Sequence, residues 1–71
     1  MNLKCFYCNW IGLAIFFEVD HRIPVSRNGN DDIVNKRIVC SGCNGQKGTK
    51  TELEYLLWRI FNSNEANYGP K

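Results

Sequence analysis

The chain predicts a small α+β domain whose stability rests on a cross-link rather than on its core, and three observations lead there. It has 71 residues, too few for an interior that comfortably outweighs the entropy of ordering the chain. Four cysteines fall into two Cys-x-x-Cys pairs, Cys5/Cys8 and Cys40/Cys43. Between and after the pairs the apolar pattern changes from a period of two to a helical one, which predicts a hairpin, a short helix and a covering C-terminal helix.

Lys4 to Trp10 holds the first pair in Cys5-Phe-Tyr-Cys8, a knuckle-like turn whose aromatics can pack beside a metal. Trp10 and Ile11 begin an apolar wall, and Gly12 is expected to mark a bend. From Leu13 to Ile23 the residues are rich in Ile, Phe and Val, and Phe17, Val19, His21 and Ile23 alternate with Phe16, Glu18, Asp20 and Arg22, which predicts a strand. Strict alternation sends Asp20 and His21 to opposite faces, so for both to serve one site the strand must twist or end near His21. Pro24 favours an ending, because it lacks a backbone donor and holds Ile23 extended. Ser26 to Asp32 reads as a loop, since its Gly, Asn and Asp residues accept left-handed geometry and local hydrogen bonds. Ile33 to Val39 is the expected return strand, leading into Cys40-Ser-Gly-Cys43 and a short helical turn that Gly48 ends. Gly42 and Gly45 are read as glycines of a knuckle turn.

The last element has the clearest pattern. Thr51-x-x-Glu54 is a capping box, and Leu53, Leu56, Leu57, Ile60 and Phe61 share one face of a helix of about three turns, expected to cover the core. Tyr55 and Trp58 fall off that face, where they pack at an edge or stack on a partner. The domain is expected over 1–62, with a mobile tail over 63–71 that has no periodicity. Beyond the two Cys pairs there is no internal repeat, and no low-complexity tract.

Met1-Asn-Leu-Lys4 leaves no room for a leader before Cys5, so the chain as given is read as intracellular and cytoplasmic. In a reducing compartment the two Cys pairs read as four thiolates around tetrahedral zinc, with disulfides or an idle thiol pair as the alternatives. The apolar run Ile11 to Phe17 is too short for a membrane span, and Gly12 interrupts it. Formal net charge is only +2, but residues 21–50 set Arg22, Arg27, Lys36, Arg37, Lys47 and Lys50 against Asp31 and Asp32, a local balance of +4. Positive charge thus gathers on the stretch with the candidate site, as drawing phosphates there requires, though a solvated loop is the plainer account.

His21 is the only histidine. Alone in a half-buried strand it would be read as structural, but its neighbours change that reading. Asp20 offers a carboxylate oxygen and Asn44 an amide oxygen, hard ligands that suit magnesium or manganese. His21 then stays free to take a proton from water, since its reference pKa of about 6.5 lies near working pH. Asn35 can orient this assembly by bonding the long loop or the backbone near His21, or it is an ordinary turn asparagine. Lys47, three residues after Asn44, shares its side of a short helix and can set an ammonium against a phosphate.

Cys5-x-x-Cys8, Asp20-His21-Arg-Ile-Pro-Val-Ser-Arg-Asn-Gly29, Asn35 five residues before Cys40, and Cys40-x-x-Cys43-Asn44-x-x-Lys47-Gly48 together resemble the HNH endonuclease family over residues 5–50. The resemblance implies a ββα-metal hairpin and helix with a treble-clef-like, four-cysteine zinc site. It implies that Asp20 and Asn44 bind a catalytic magnesium or manganese ion, that His21 is the general base and that Asn35 positions it. It further implies hydrolysis of DNA phosphodiester bonds, duplex DNA foremost. Asn44 stands where histidine is frequent in the family, and Asn28 where glycine is. One such site cuts one strand per encounter, so nicking by a monomer or weak homodimer is expected, with low sequence specificity because so small a chain has little surface for reading bases. The competing readings are a non-catalytic zinc module that holds nucleic acid through Arg22, Arg27, Arg37, Lys47 and Lys50, and an adaptor built on Tyr55, Trp58 and the tail.

Overall fold

A computed structural model describes residues 1–62, which form two antiparallel hairpins followed by two helices. The tail at 63–71 lies outside the described residues. Strand β1 (Asn2–Lys4) pairs with β2 (Ile11–Leu13), and β3 (Phe17–His21) pairs with β4 (Lys36–Cys40). The second register sets Phe17 opposite Cys40, Asp20 opposite Arg37 and His21 opposite Lys36. Helix α1 (Ser41–Lys47) continues β4 without a break, and α2 (Glu52–Phe61) follows a short connection that begins at Gly48.

The first hairpin exists because the first Cys pair must turn. Asn9 takes the left-handed conformation the turn needs, at φ 64°, and Cys5 N–H and Asn9 N–H donate to the carbonyls of Trp10 and Cys5 at 2.9 and 3.0 Å. Gly12 does not bend the chain. It sits inside β2 opposite Leu3, where a Cβ would overlap the Trp10 indole, so glycine clears room for the ring. The bend comes two residues later, in a 3-10 turn over Ala14–Phe16 that carries the chain from one hairpin to the next.

That turn shortens the strand expected over 13–23 to Phe17–His21, which ends at His21 as Pro24 suggested. The return strand is shortened in the same way, because Ile33–Asn35 form a 3-10 turn that brings the Asn35 amide onto the Ile23 backbone. In the loop between them Asn28 is left-handed at φ 70°, and Gly29 passes so close to Ile23 that a Cβ would overlap its carbonyl. Gly42 and Gly45 belong to α1 rather than to a turn, whereas Gly48 leaves that helix at φ 54°.

The core is small and half sulfur. Cys5, Tyr7, Val39, Cys40, Cys43 and Tyr55 are buried, with Cys8, Trp10, Phe17 and Trp58 packed against them. Tyr7 meets Tyr55 edge-on at 4.8 Å between ring centroids, and Trp10 stacks on Phe17 at 5.4 Å. Helix α2 carries its expected capping box, with Thr51 and Glu54 bonding each other's backbone N–H. The face it buries is the opposite of the expected one. Tyr55 is fully buried, while Leu53, Leu57, Ile60 and Phe61 stay about half to four-fifths exposed. Glu52, Tyr55, Trp58 and Arg59 recur at three- and four-residue spacing and therefore make one stripe; Tyr55, Trp58 and Arg59 face the cysteines, and Glu52 meets Arg22 and Arg37. Flat rings cover the shallow sulfur cluster, and the Tyr55 hydroxyl donates to Gln46 Oε1 at 2.8 Å. No helix of the described residues is long and apolar enough to cross a membrane.

Candidate functional site

The four cysteine sulfurs converge from the β1–β2 turn and the start of α1, all within 4.8 Å of one another. Cys8 and Cys40 sulfurs lie 3.7 Å apart. That is too far for a disulfide and close to the edge of about 3.8 Å that a tetrahedron with zinc–sulfur bonds of about 2.3 Å requires. Backbone N–H groups of Cys8 and Cys43 donate to the sulfurs of Cys5 and Cys40 at 3.5 and 3.4 Å, and Arg59 Nη1 lies 3.7 Å from Cys43 Sγ. Such donors favour thiolate. A hydrogen bond from Cys43 brings the Cys5 thiol down to about 4, whereas burial pushes Cys8 up to about 11. The cluster is arranged to hold a metal ion, and an all-sulfur tetrahedral donor set is that of a structural zinc. Arg59 has no mark in the sequence as part of this centre; its only signal is its place four residues after Tyr55.

One turn beyond the last cysteine, α1 lies against β3. Lys47 is fully buried, and its ammonium contacts Asp20 Oδ1 and Oδ2 at 3.3 and 3.1 Å and donates to the His21 carbonyl at 2.9 Å. The expected surface contact of Lys47 with phosphate is thus replaced by an internal one, because the short helix aims the side chain at the strand end. Burial raises the Asp20 carboxyl, and Lys47 pulls it back only in part. Asp20 Oδ2 lies near the ammonium without hydrogen-bond geometry and has no hydrogen-bond partner among the described residues. Asn44 precedes Lys47 by three residues, on the same side of α1. The cation that balances the buried Asp20 carboxylate in this structure is the Lys47 ammonium.

His21 and Asp20 do turn to different neighbours, as alternation requires. The His21 ring leaves toward the long loop, where Nε2 lies 2.9 Å from Asp31 Oδ1. Asn35 is buried and bonds both segments expected of it: Oδ1 accepts from Ile23 N–H at 3.0 Å, and Nδ2 donates to the carbonyls of Ile23 at 3.0 Å and Asn30 at 2.7 Å. Sequence reasoning missed Asp31, counting it only as a charge in a loop. A carboxylate four residues before Asn35 was the signal available.

The remaining candidate phosphate contacts are engaged within the chain. Glu52 binds Arg22 Nε at 3.1 Å and Arg37 Nε at 3.0 Å, Glu54 binds Arg27, and Lys50 donates to the Gln46 carbonyl at 3.4 Å. Arg37 also lies over the Phe6 ring at 4.5 Å. These pairs dock the N-terminal end of α2 onto the second hairpin and lower the charge that the hairpin presents to a polyanion.

A β-hairpin and a short helix, pinned by four cysteines and carrying Asp20 and His21 where the strand ends, have the ββα-metal architecture. A family model described as HNH endonuclease matches residues 5–50. The chain belongs to the HNH endonuclease family. No curated protein matches it.

Proposed function

We propose that the protein is a divalent-metal-dependent endonuclease that hydrolyses DNA phosphodiester bonds, nicking one strand per event with low sequence specificity. The observation that carries this reading is the match of residues 5–50 to the HNH endonuclease family; the buried Asp20 carboxylate, held by Lys47 of α1 where the strand ends, supports it. A module that only binds nucleic acid gives no reason for Asp20, His21 and Asn44 to occur together. Its arginines would also be expected to face outward, whereas Arg22 and Arg37 are bridged by Glu52.

His21 takes a proton from water as the water oxygen bonds to phosphorus. The bond from phosphorus to the 3′ oxygen breaks in line with that attack, and the departing oxygen takes a proton from solvent. Asp20 and Asn44 would hold the magnesium or manganese ion, which supplies charge stabilisation at the scissile phosphate. Asn35 fixes the backbone just after His21. A zinc held by the four cysteines would take no part in the chemistry; with Cys40 capping α1 and Cys43 within it, the knot would fix where Asn44 stands relative to Asp20.

The test is incubation with supercoiled plasmid in magnesium, manganese or EDTA, beside His21→Ala, with zinc content checked after each treatment. Ion-dependent open circles that vanish in a zinc-loaded His21→Ala protein are expected. Intact plasmid in every lane, with zinc retained and a salt-sensitive mobility shift, would return the binding module.

A further inference from the structure

His21 makes a side-chain contact that its role as a base does not by itself call for. Asp31 Oδ1 lies 2.9 Å from His21 Nε2 and 3.2 Å from Lys36 Nζ, and His21 and Lys36 are cross-strand partners at the loop end of the second hairpin. One carboxylate oxygen therefore caps a facing pair of basic side chains. Asp31 is 78% exposed, so neither burial nor packing holds it there, and a solvated loop carboxylate would ordinarily wander.

The backbone on both sides of Asp31 is tied down instead. Asn35 Nδ2 donates to the Asn30 carbonyl at 2.7 Å, Asn35 N–H donates to the Asp32 carbonyl at 2.9 Å, and Asp32 N–H donates to the Asn30 side chain at 3.1 Å. Asn35 is itself fastened to Ile23, two residues after His21. The segment is thus a short arm anchored beside the strand end, with Asp31 at its tip. His21 and Lys36 beside Asp31 hold its carboxyl below the ordinary range. An ionised carboxylate only accepts hydrogen bonds, so the proton between the two groups belongs to Nε2.

We propose that Asp31 is a positioning residue for His21: it accepts the Nε2–H hydrogen bond, fixes the orientation and tautomer of the ring, and so leaves Nδ1 as the nitrogen that receives the proton from the attacking water. The proposal rests on His21 being the general base of the nuclease. It gives Asn35 a definite task as well, since the same amide that grips the strand end holds the arm carrying Asp31.

His21 is the only histidine in the chain, so selective 15N-histidine labelling of the full, zinc-loaded protein reports on this ring alone. In the wild type a slowly exchanging Nε2 proton and the coupling pattern of one tautomer are expected. Asp31→Ala should replace them with an exchange-averaged ring, and should lower kcat for plasmid nicking by about tenfold with KM unchanged, a part of the roughly 10²–10⁴-fold that proton transfer to a placed base contributes. Lys36→Met separates positioning from general ordering of the loop, because it removes the other partner of Asp31 and should leave both readouts in place. An unchanged His21 spectrum in Asp31→Ala would overturn the proposal. So would a lost Nε2 signature with kcat intact, or equal losses in Lys36→Met. A wild-type protein that shows the Nε2 signature but nicks nothing would overturn the nuclease reading and the positioning role with it, a result distinguishable from failure of the Asp31 contact.

Discussion

At the scale of single residues, the Lys47–Asp20 pair is the least ordinary feature of the chain. A buried ammonium and a buried carboxylate each lose much hydration, and contact returns it only where hydrogen bonds complete the site, as the His21 carbonyl does for Lys47. Removing one member leaves the other charge unmatched. Lys47→Met should therefore cost about 3 kcal/mol of stability, read as a lowered Tm. Manganese should raise the Tm of that variant by more than it raises that of the wild type, because Asp20 then has only the ion to balance it. Equal manganese shifts in the two proteins would remove Asp20 from the list of divalent ligands. The role of Lys47 was only half legible in the sequence. Its spacing from Asn44 gave the correct side of α1, but spacing does not say whether that side meets solvent or β3.

Among the elements, α2 separates what a pattern reveals from what packing decides. Thr51 and Glu54 cap the helix as their spacing promised, since a capping box is closed by residues within one turn of each other. The buried face depends instead on the shape of what lies beneath. Five apolar residues, four of them aliphatic, point to one side, yet the surface to be covered is a shallow group of sulfurs and rings, and Tyr55 and Trp58 match it better. Tyr55→Ala should thus cost about 3–5 kcal/mol, as truncation of a buried aromatic does, while Leu57→Ser should change stability by less than about 0.5 kcal/mol. Denaturant titration of the two variants measures both. The reverse ranking would mean that the aliphatic face is the one packed in solution. The strands show the same division: their centres were legible from alternation, but the 3-10 turns at Ala14–Phe16 and Ile33–Asn35 were not, because nothing in an apolar run marks where the chain must reverse to meet a distant partner.

For the molecule as a whole, cysteines supply three of the six buried core side chains, so folding is expected to depend on metal binding. Stripping zinc with a strong chelator should abolish the cooperative thermal transition and the near-ultraviolet dichroism of the buried aromatics, and adding zinc back should restore both. A metal-free protein that still melts cooperatively would show that the aromatic cluster suffices alone. This dependence was the most legible property of the sequence, because two Cys-x-x-Cys pairs in so short a chain leave few other ways to build an interior. The internal pairing of the basic residues was the least legible. Arg22 and Glu52 are thirty residues apart, and a count of charges along a chain carries no information about which of them meet.

The crossing of backbone over backbone at Gly29 bears on how such a protein can change. The segment that bears Asp31 is pinned at this point by main chain alone, since any side chain there would run into the Ile23 carbonyl. If residues 26–32 were randomised and survivors selected for cutting, position 29 should return as glycine in nearly every lineage, while Asn28, left-handed at φ 70°, should drift to glycine and back at little cost. Variation in what the loop touches would have to enter through neighbours such as Ser26 and Arg27, so the path open to descendants of this sequence is set by its narrowest crossing rather than by its longest loop.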